Sequence, residues 1–193
     1  MFINKLILVY SVVLLTVLIV NAQKIIPQSG DYFSFSIATD REYFTGVMDE
    51  VLGENGNFVC QFYVSGKITG NTFRVQCRNA FDTGTVGGTV TVINDRSFML
   101  KTDENPGCAM MIADFENKGE TYQLGSVKTR LQIRMVQSKK AYFYTDTTEV
   151  SKRKAFLIQN DNATVTRKVN NWLFVTFNKT AGWMKEEDMF RIY

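Results

Sequence analysis

Three cysteines and no histidine bound the chemistry open to this chain. Without histidine there is no Ser-His-Asp or Cys-His nucleophile system, and the commonest zinc ligand is missing. A thiol with no basic neighbour is a poor nucleophile, so the cysteines read as structural. Carboxylates lie close together at Asp49-Glu50, Asp103-Glu104, Asp114/Glu116 and Glu186-Glu187-Asp188. A glycosidase needs two facing carboxyls about 5–10 Å apart, one with a raised pKa. Neighbours on a strand point to opposite faces, so these runs read instead as solvated loop charges. Asp103-Glu104-Asn105 offers oxygens to calcium but lacks the spacing of an EF-hand. Gly84, Gly87 and Gly88 in FDTGTVGGTV lack the Lys-Ser/Thr of a phosphate loop and read as a β-bulge or hairpin turn. No catalytic residue, metal or cofactor is assigned.

The element holding two of the cysteines is the best defined. With Gly70-Asn71 as a two-residue turn, one face carries Phe58, Cys60, Phe62, Val64 and Gly66 opposite Phe73, Val75 and Cys77. The other face carries Gln61, Tyr63, Ser65 and Lys67 opposite Thr72, Arg74, Gln76 and Arg78, with Val59 the misfit. Period-2 alternation in both arms predicts this hairpin, and a one-residue slip would destroy the segregation. In that register Cys77 faces Val64, which leaves Cys60 about 13 Å away along the ladder, too far for a bridge. Cys60–Cys108 is therefore the favoured disulfide, and three reduced, buried thiols are the alternative.

Other short strands are expected at residues 31–37, 43–51, 85–93, 97–102, 108–112, 121–124 and 130–136. Asn55-Gly56 marks a hairpin turn, Pro106-Gly107 a loop, and 114–119 a turn. The pattern predicts an all-β protein: an N-terminal antiparallel meander or barrel-like domain, then a small β-barrel. Lys5, the apolar residues 6–20 and Val20-Asn21-Ala22 form a signal-peptide pattern. Its apolar run is shorter than the about 20 residues of a spanning helix. The expected division is 1–22 leader, 23–136 β-rich domain and 137–193 barrel, with Gln137-Ser138-Lys139-Lys140 as a short junction. The protein is expected to be exported, periplasmic or extracellular, with no stable membrane insertion after cleavage. Residues 23–136 carry 11 Lys+Arg against 13 Asp+Glu, and 137–193 carry 10 against 6. So mild a basic bias suits an anionic envelope polymer and argues against nucleic acid.

The order within residues 141–188 is the most telling. An aromatic strand (Ala141-Tyr142-Phe143-Tyr144) leads to a polar loop and the run Ala155-Phe156-Leu157-Ile158. Asn160-Asp161, Trp172-Leu173-Phe174-Val175 and Gly182-Trp183-Met184 follow. This order resembles the bacterial SH3-like (SH3b) domain, a targeting and interaction barrel of secreted bacterial proteins. The resemblance implies a ligand groove near Tyr142, Tyr144 and Trp172, with Trp183 mostly in the barrel core. Lys152 and Arg153, with Lys154, are expected in a variable loop that contacts an anionic partner. Asp146-Thr147-Thr148, Asn160 and Met189 depart from the family pattern. The sequons Asn162-Ala163-Thr164 and Asn178-Lys179-Thr180 matter only in a eukaryotic host.

The function implied is non-catalytic binding of a cell-envelope ligand, peptidoglycan peptide or protein. The lack of histidine removes the cysteine/histidine peptidase chemistry that often accompanies such barrels. The alternative is an inhibitor or immunity protein that plugs a lytic enzyme with a loop such as 103–108.

Overall fold

The computed structural model describes residues 24–52, 58–79, 84–108 and 114–192. The expected leader 1–22, the expected Asn55-Gly56 turn and the part of the expected 108–112 strand beyond Cys108 lie outside them. The described chain is all-β, with two antiparallel sheets and otherwise only short 3-10 turns.

The first sheet comprises β1 (Gly30–Tyr32), β2 (Phe35–Thr39), β3 (Tyr43–Leu52), β4 (Phe58–Lys67), β5 (Thr72–Asn79), β6 (Thr85–Asn94), β7 (Ser97–Thr102), β8 (Glu120–Gln123) and β9 (Ser126–Val127). Each of β1 to β8 pairs with its sequence neighbour, and the sheet curls as a half-barrel. One segment serves both of its ends, for β8 pairs with β7 while β9 pairs with β1. Between them Leu124 N–H donates to Arg96 C=O and Gly125 N–H to Asp31 C=O. The sheet wraps an aromatic core, because alternate residues of every strand point inward. Phe98 lies at its centre, with ring centroids 5.1 Å from Tyr32, 5.7 Å from Phe35, 5.4 Å from Phe44 and 5.3 Å from Tyr122.

The hairpin at Gly70-Asn71 takes the expected register, with Val64 opposite Cys77 and Tyr63 opposite Arg78. A disulfide joins Cys60 to Cys108, and Cys77 is a free, buried thiol. Burial pushes that thiol up to about 12, so it stays protonated and inert.

Two local expectations are corrected. Residues 31–37 are two strands, because the chain turns back at Phe33-Ser34. Phe33 has φ 55° and is 88% exposed, although a left-handed backbone favours glycine or asparagine. Gly87 and Gly88 lie inside β6, paired with Gln76 and Val75, and form neither bulge nor turn. Their purpose is close approach. A Cβ at Gly87 would overlap Asp103 and Arg74, whose ion pair crosses the strand at that point with Nη2–Oδ2 2.5 Å.

The second sheet comprises β10 (Gln132–Met135), β11 (Lys140–Tyr144), β12 (Lys152–Ile158), β13 (Asn162–Val169), β14 (Trp172–Phe177) and β15 (Thr180–Lys185), in the order β10-β13-β14-β15-β11-β12. Its core is smaller and mainly aliphatic, with Val165, Leu173, Val175, Met184 and Met189 around Phe143. Here the expected boundary moves. Residues 132–135, placed in the first domain from sequence, pair with β13 and belong to the second sheet. All four residues of β10 are buried because one side of the strand is covered by the first sheet. Ile133 N–H donates to the buried Thr45 hydroxyl (2.8 Å), and Gln132 Nε2 donates to Asp40 (2.8 Å).

Candidate functional site

The second sheet turns its large aromatics outward. On β14, Leu173 and Val175 enter the core, so Trp172 and Phe174 must face away. On β15, Met184 is the inward residue, which leaves Trp183 half-buried on the outer face and corrects its expected place in the core. Trp183 packs edge-on against Phe174 (centroids 5.3 Å), and the Arg167 guanidinium lies 4.3 Å from Phe174 and 5.3 Å from Trp183. Such arrangements add cation–π attraction to area burial.

Of the residues singled out from sequence, Tyr144 and Trp172 come together, with ring centroids 4.9 Å apart and the rings edge to face. Tyr144 is buried beneath Trp172. Tyr142 and Lys152 form a second pair, the ammonium 3.6 Å from the ring centroid. Tyr142 also packs on Phe156 (5.5 Å), over which Lys140 sits at 4.6 Å. Lys152, Arg153 and Lys154 are not in a loop; they open β12, an edge strand. Lysine is a usual choice for an edge, where it discourages pairing with other chains. Arg153 separates from Lys152 because successive strand residues diverge. Its Nη1 donates to the Ala181 carbonyl at 2.8 Å, so it ties β12 to β15 and does not join the aromatic face.

Trp172 also walls a cleft of about 650 Å³ where the two sheets meet. The first sheet contributes Tyr43. The second contributes Gln132, Arg134, Lys168, Asn171, Trp172 and Lys185, and the segments around them add Glu149, Glu186, Met189 and Arg191. Arg134 organises this wall. It is buried, and donates from Nη1 to Gln132 Oε1 (3.1 Å) and Glu186 Oε1 (3.3 Å), and from Nη2 to the Phe190 carbonyl (2.8 Å). Lys168 reaches the same Glu186 oxygen at 2.7 Å, and Lys185 donates to Glu149 at 2.7 Å. Phe190, held by Arg134, receives the Arg78 guanidinium of the first sheet over its ring at 4.2 Å.

The electrostatics follow from these pairs. Burial works against ionisation of Glu186, but Lys168 and Arg134 outweigh it and hold the carboxyl below its ordinary value. The Lys185 hydrogen bond likewise lowers Glu149, and Glu149 raises Lys185. The phenol of Tyr63, buried on the first sheet's side of the junction, is pushed up to about 12 by desolvation. Arg134 Nε is buried at this junction without a hydrogen-bond partner, which costs desolvation energy. Among the described residues no three His, Cys, Asp or Glu side chains gather to hold a metal ion.

Sequence reasoning missed Arg134 and Lys168, and it read Glu186 as a solvated loop charge where the structure pairs it with both. The available signal was Arg134 itself, a charge within the apolar run Leu131 to Val136. Residues 103–108, the loop of the alternative reading, are braced from within. Asn105 Oδ1 accepts from Gly107 N–H (2.9 Å) and Cys108 N–H (2.8 Å), and the disulfide fixes the far end. Asp103, hydrogen-bonded by Arg74, has its carboxyl held low.

Compared with family models, with curated proteins and with solved structures, the chain finds no match.

Proposed function

We propose that this chain is an exported, non-catalytic binding protein of the cell envelope. Its second sheet acts as an SH3-like module that takes a short charged peptide, of the kind found in peptidoglycan stems, in the Trp172 cleft. The observation that carries this reading is the composition of that cleft. Indole, ammonium, guanidinium and carboxylate groups line one concavity of about 650 Å³, which suits a ligand bearing both amines and carboxylates. The apolar leader pattern supports export.

The state of the carboxyls supports a binding role over a catalytic one. A general acid at neutral pH needs a raised pKa, whereas Glu149 and Glu186 are both lowered by their cationic partners. The test is retention of the protein on purified peptidoglycan at low and high salt, with Trp172→Ala beside the wild type. Salt-sensitive retention that is lost in the variant is expected. Absence of retention at either salt overturns the cell-wall assignment.

A second reading, an inhibitor of a lytic enzyme, draws on loop 103–108. Asn105 and the Cys60–Cys108 bridge pre-organise an exposed segment, which lowers the entropy lost on docking. It requires that the protein depress the lytic enzyme's rate and that Glu104→Lys relieve the effect.

A further inference from the structure

The outer edge of β12 carries a pattern that the cleft does not use. Lys152, Lys154, Phe156 and Ile158 are alternate, exposed residues of β12, while Leu157 points into the core, and Val150 lies exposed in the 3-10 turn just before the strand. Val150 is 95% exposed, Ile158 54% and Phe156 40%. On the neighbouring strand Lys140 stands opposite Ile158, and Tyr142 opposite Phe156. Lysine and apolar side chains thus adjoin one another in a strip along the β11–β12 hairpin, whose register shifts between Tyr142 and Tyr144.

Lys140, Lys152 and Lys154 take part in no ion pair among the described residues; at the two ends of the strip Glu149, which Lys152 also attracts, is engaged by Lys185, and Asp161 accepts from Ile158 N–H at 2.9 Å. Here Lys152 and Lys140 lie directly over the Tyr142 and Phe156 rings, which spreads positive charge across an apolar surface.

We infer that the β11–β12 edge is a peripheral contact surface for an anionic phospholipid membrane. The three ammoniums match the charge of the headgroup layer, and Val150, Phe156, Ile158 and Tyr142 enter the boundary of headgroups and acyl chains. A soluble anionic polymer would satisfy the lysines, but it would leave the row of exposed apolar side chains without a partner. Lipid accounts for both halves of the pattern. Contact of this kind is reversible and requires no spanning segment.

The test is co-sedimentation of residues 23–193, which contain every strand and both cores, with vesicles. Equimolar phosphatidylcholine and phosphatidylglycerol is compared with phosphatidylcholine alone. Pelleting with the anionic vesicles only, falling as salt is added, is expected. Lys152→Glu with Lys154→Glu should lower the partition coefficient by at least about twenty-fold, since each lysine near an anionic surface is worth about a factor of five. Phe156→Ser with Ile158→Ser should lower it severalfold while the salt dependence remains. Both variants alter exposed side chains, and an unchanged near-UV circular dichroism spectrum shows that the fold is retained. Absence of pelleting, equal pelleting with neutral vesicles, or indifference to the lysine substitutions overturns the inference. So does binding to polyglutamate as tight as to the vesicles together with full vesicle binding by the Phe156/Ile158 variant, which assigns the strip to an acidic polymer.

Discussion

The two sheets use their aromatic residues in opposite ways. The first buries Tyr32, Phe35, Phe44, Phe62, Phe73, Phe98, Phe115 and Tyr122 in one continuous core. The second fills its interior largely with aliphatic side chains and methionine, and sets Trp172, Phe174, Trp183, Tyr142 and Phe156 outside or half outside. Packing explains the first choice, because aromatic rings bury large areas and interlock edge to face. It does not explain the second, where the same residue types remain in partial contact with water. The second sheet therefore carries the exposed aromatic chemistry of the molecule, and the first sheet completes one wall of the cleft through Tyr43.

That contrast can be broken by substitution. Phe98→Ala, at the centre of the first core, should cost about 3–5 kcal/mol in denaturant unfolding. Trp183→Ala, a larger truncation on the outer face, should cost only about 1–2 kcal/mol, because much of the side chain already meets solvent. Equal costs for the two would mean that Trp183 is a packing residue after all.

The Cys60–Cys108 bridge belongs to the first sheet and closes a loop of sequence separation 48. Loop-closure entropy puts its contribution at up to about 4 kcal/mol, so Cys60→Ser with Cys108→Ser should lower the unfolding midpoint markedly. The same pair of substitutions should leave ligand retention on the second sheet unchanged. Loss of both together would show that the two sheets do not act independently.

Acid should act at the cleft as well as at the ion pairs of the first sheet. The folded-state pKa of Glu186 lies below its unfolded value. Its ionisation therefore stabilises the fold above about pH 4.5, and that contribution disappears as pH falls through the folded value. Glu186→Gln should weaken the acid dependence of the thermal midpoint between about pH 6 and pH 3, without abolishing it, because Asp31 and Asp103 are lowered as well. An unchanged acid limb would remove Glu186 from the account.

The smallest expected effect is at Phe33. Phe33→Asn keeps the left-handed turn with a residue that tolerates it and gives up no packing, since Phe33 is 88% exposed. A gain of about 1 kcal/mol is expected, and a loss would show that the exposed ring makes contacts of its own.

The sequence was legible wherever one face of a strand is dry and the other wet. Strand β5 of the Gly70-Asn71 hairpin is such a case, and the register followed from that alternation and the turn position, although Tyr63 and Ser65 on the expected wet face of β4 are buried. Residues 132–135 defeated the same logic. Gln132 and Arg134 alternate with Ile133 and Met135 as in a half-exposed strand, yet their side is covered by the other sheet. A polar interface between sheets imitates solvent in a sequence, and so the boundary, the Arg134 wall and the pairing of Glu186 stayed hidden. At Trp183 the inward position went to Met184, and bulk alone could not reveal which face turned inward. The Lys152 to Lys154 run has low strand propensity, and only pairing with β11 makes it a strand.

The shared segment β8–β9 also orders events in time. Neighbouring strands of the meander can pair as soon as both exist, but Gly30 must wait for Val127 before that contact forms. A chain emerging from its N-terminus thus carries an open, aromatic-lined sheet almost until its last third is made. The residues that end this exposure are followed within a few positions by β10, which begins the second sheet. Closure of the first unit and nucleation of the second are consecutive steps, and a stall between them would leave the aromatic interior open to other chains.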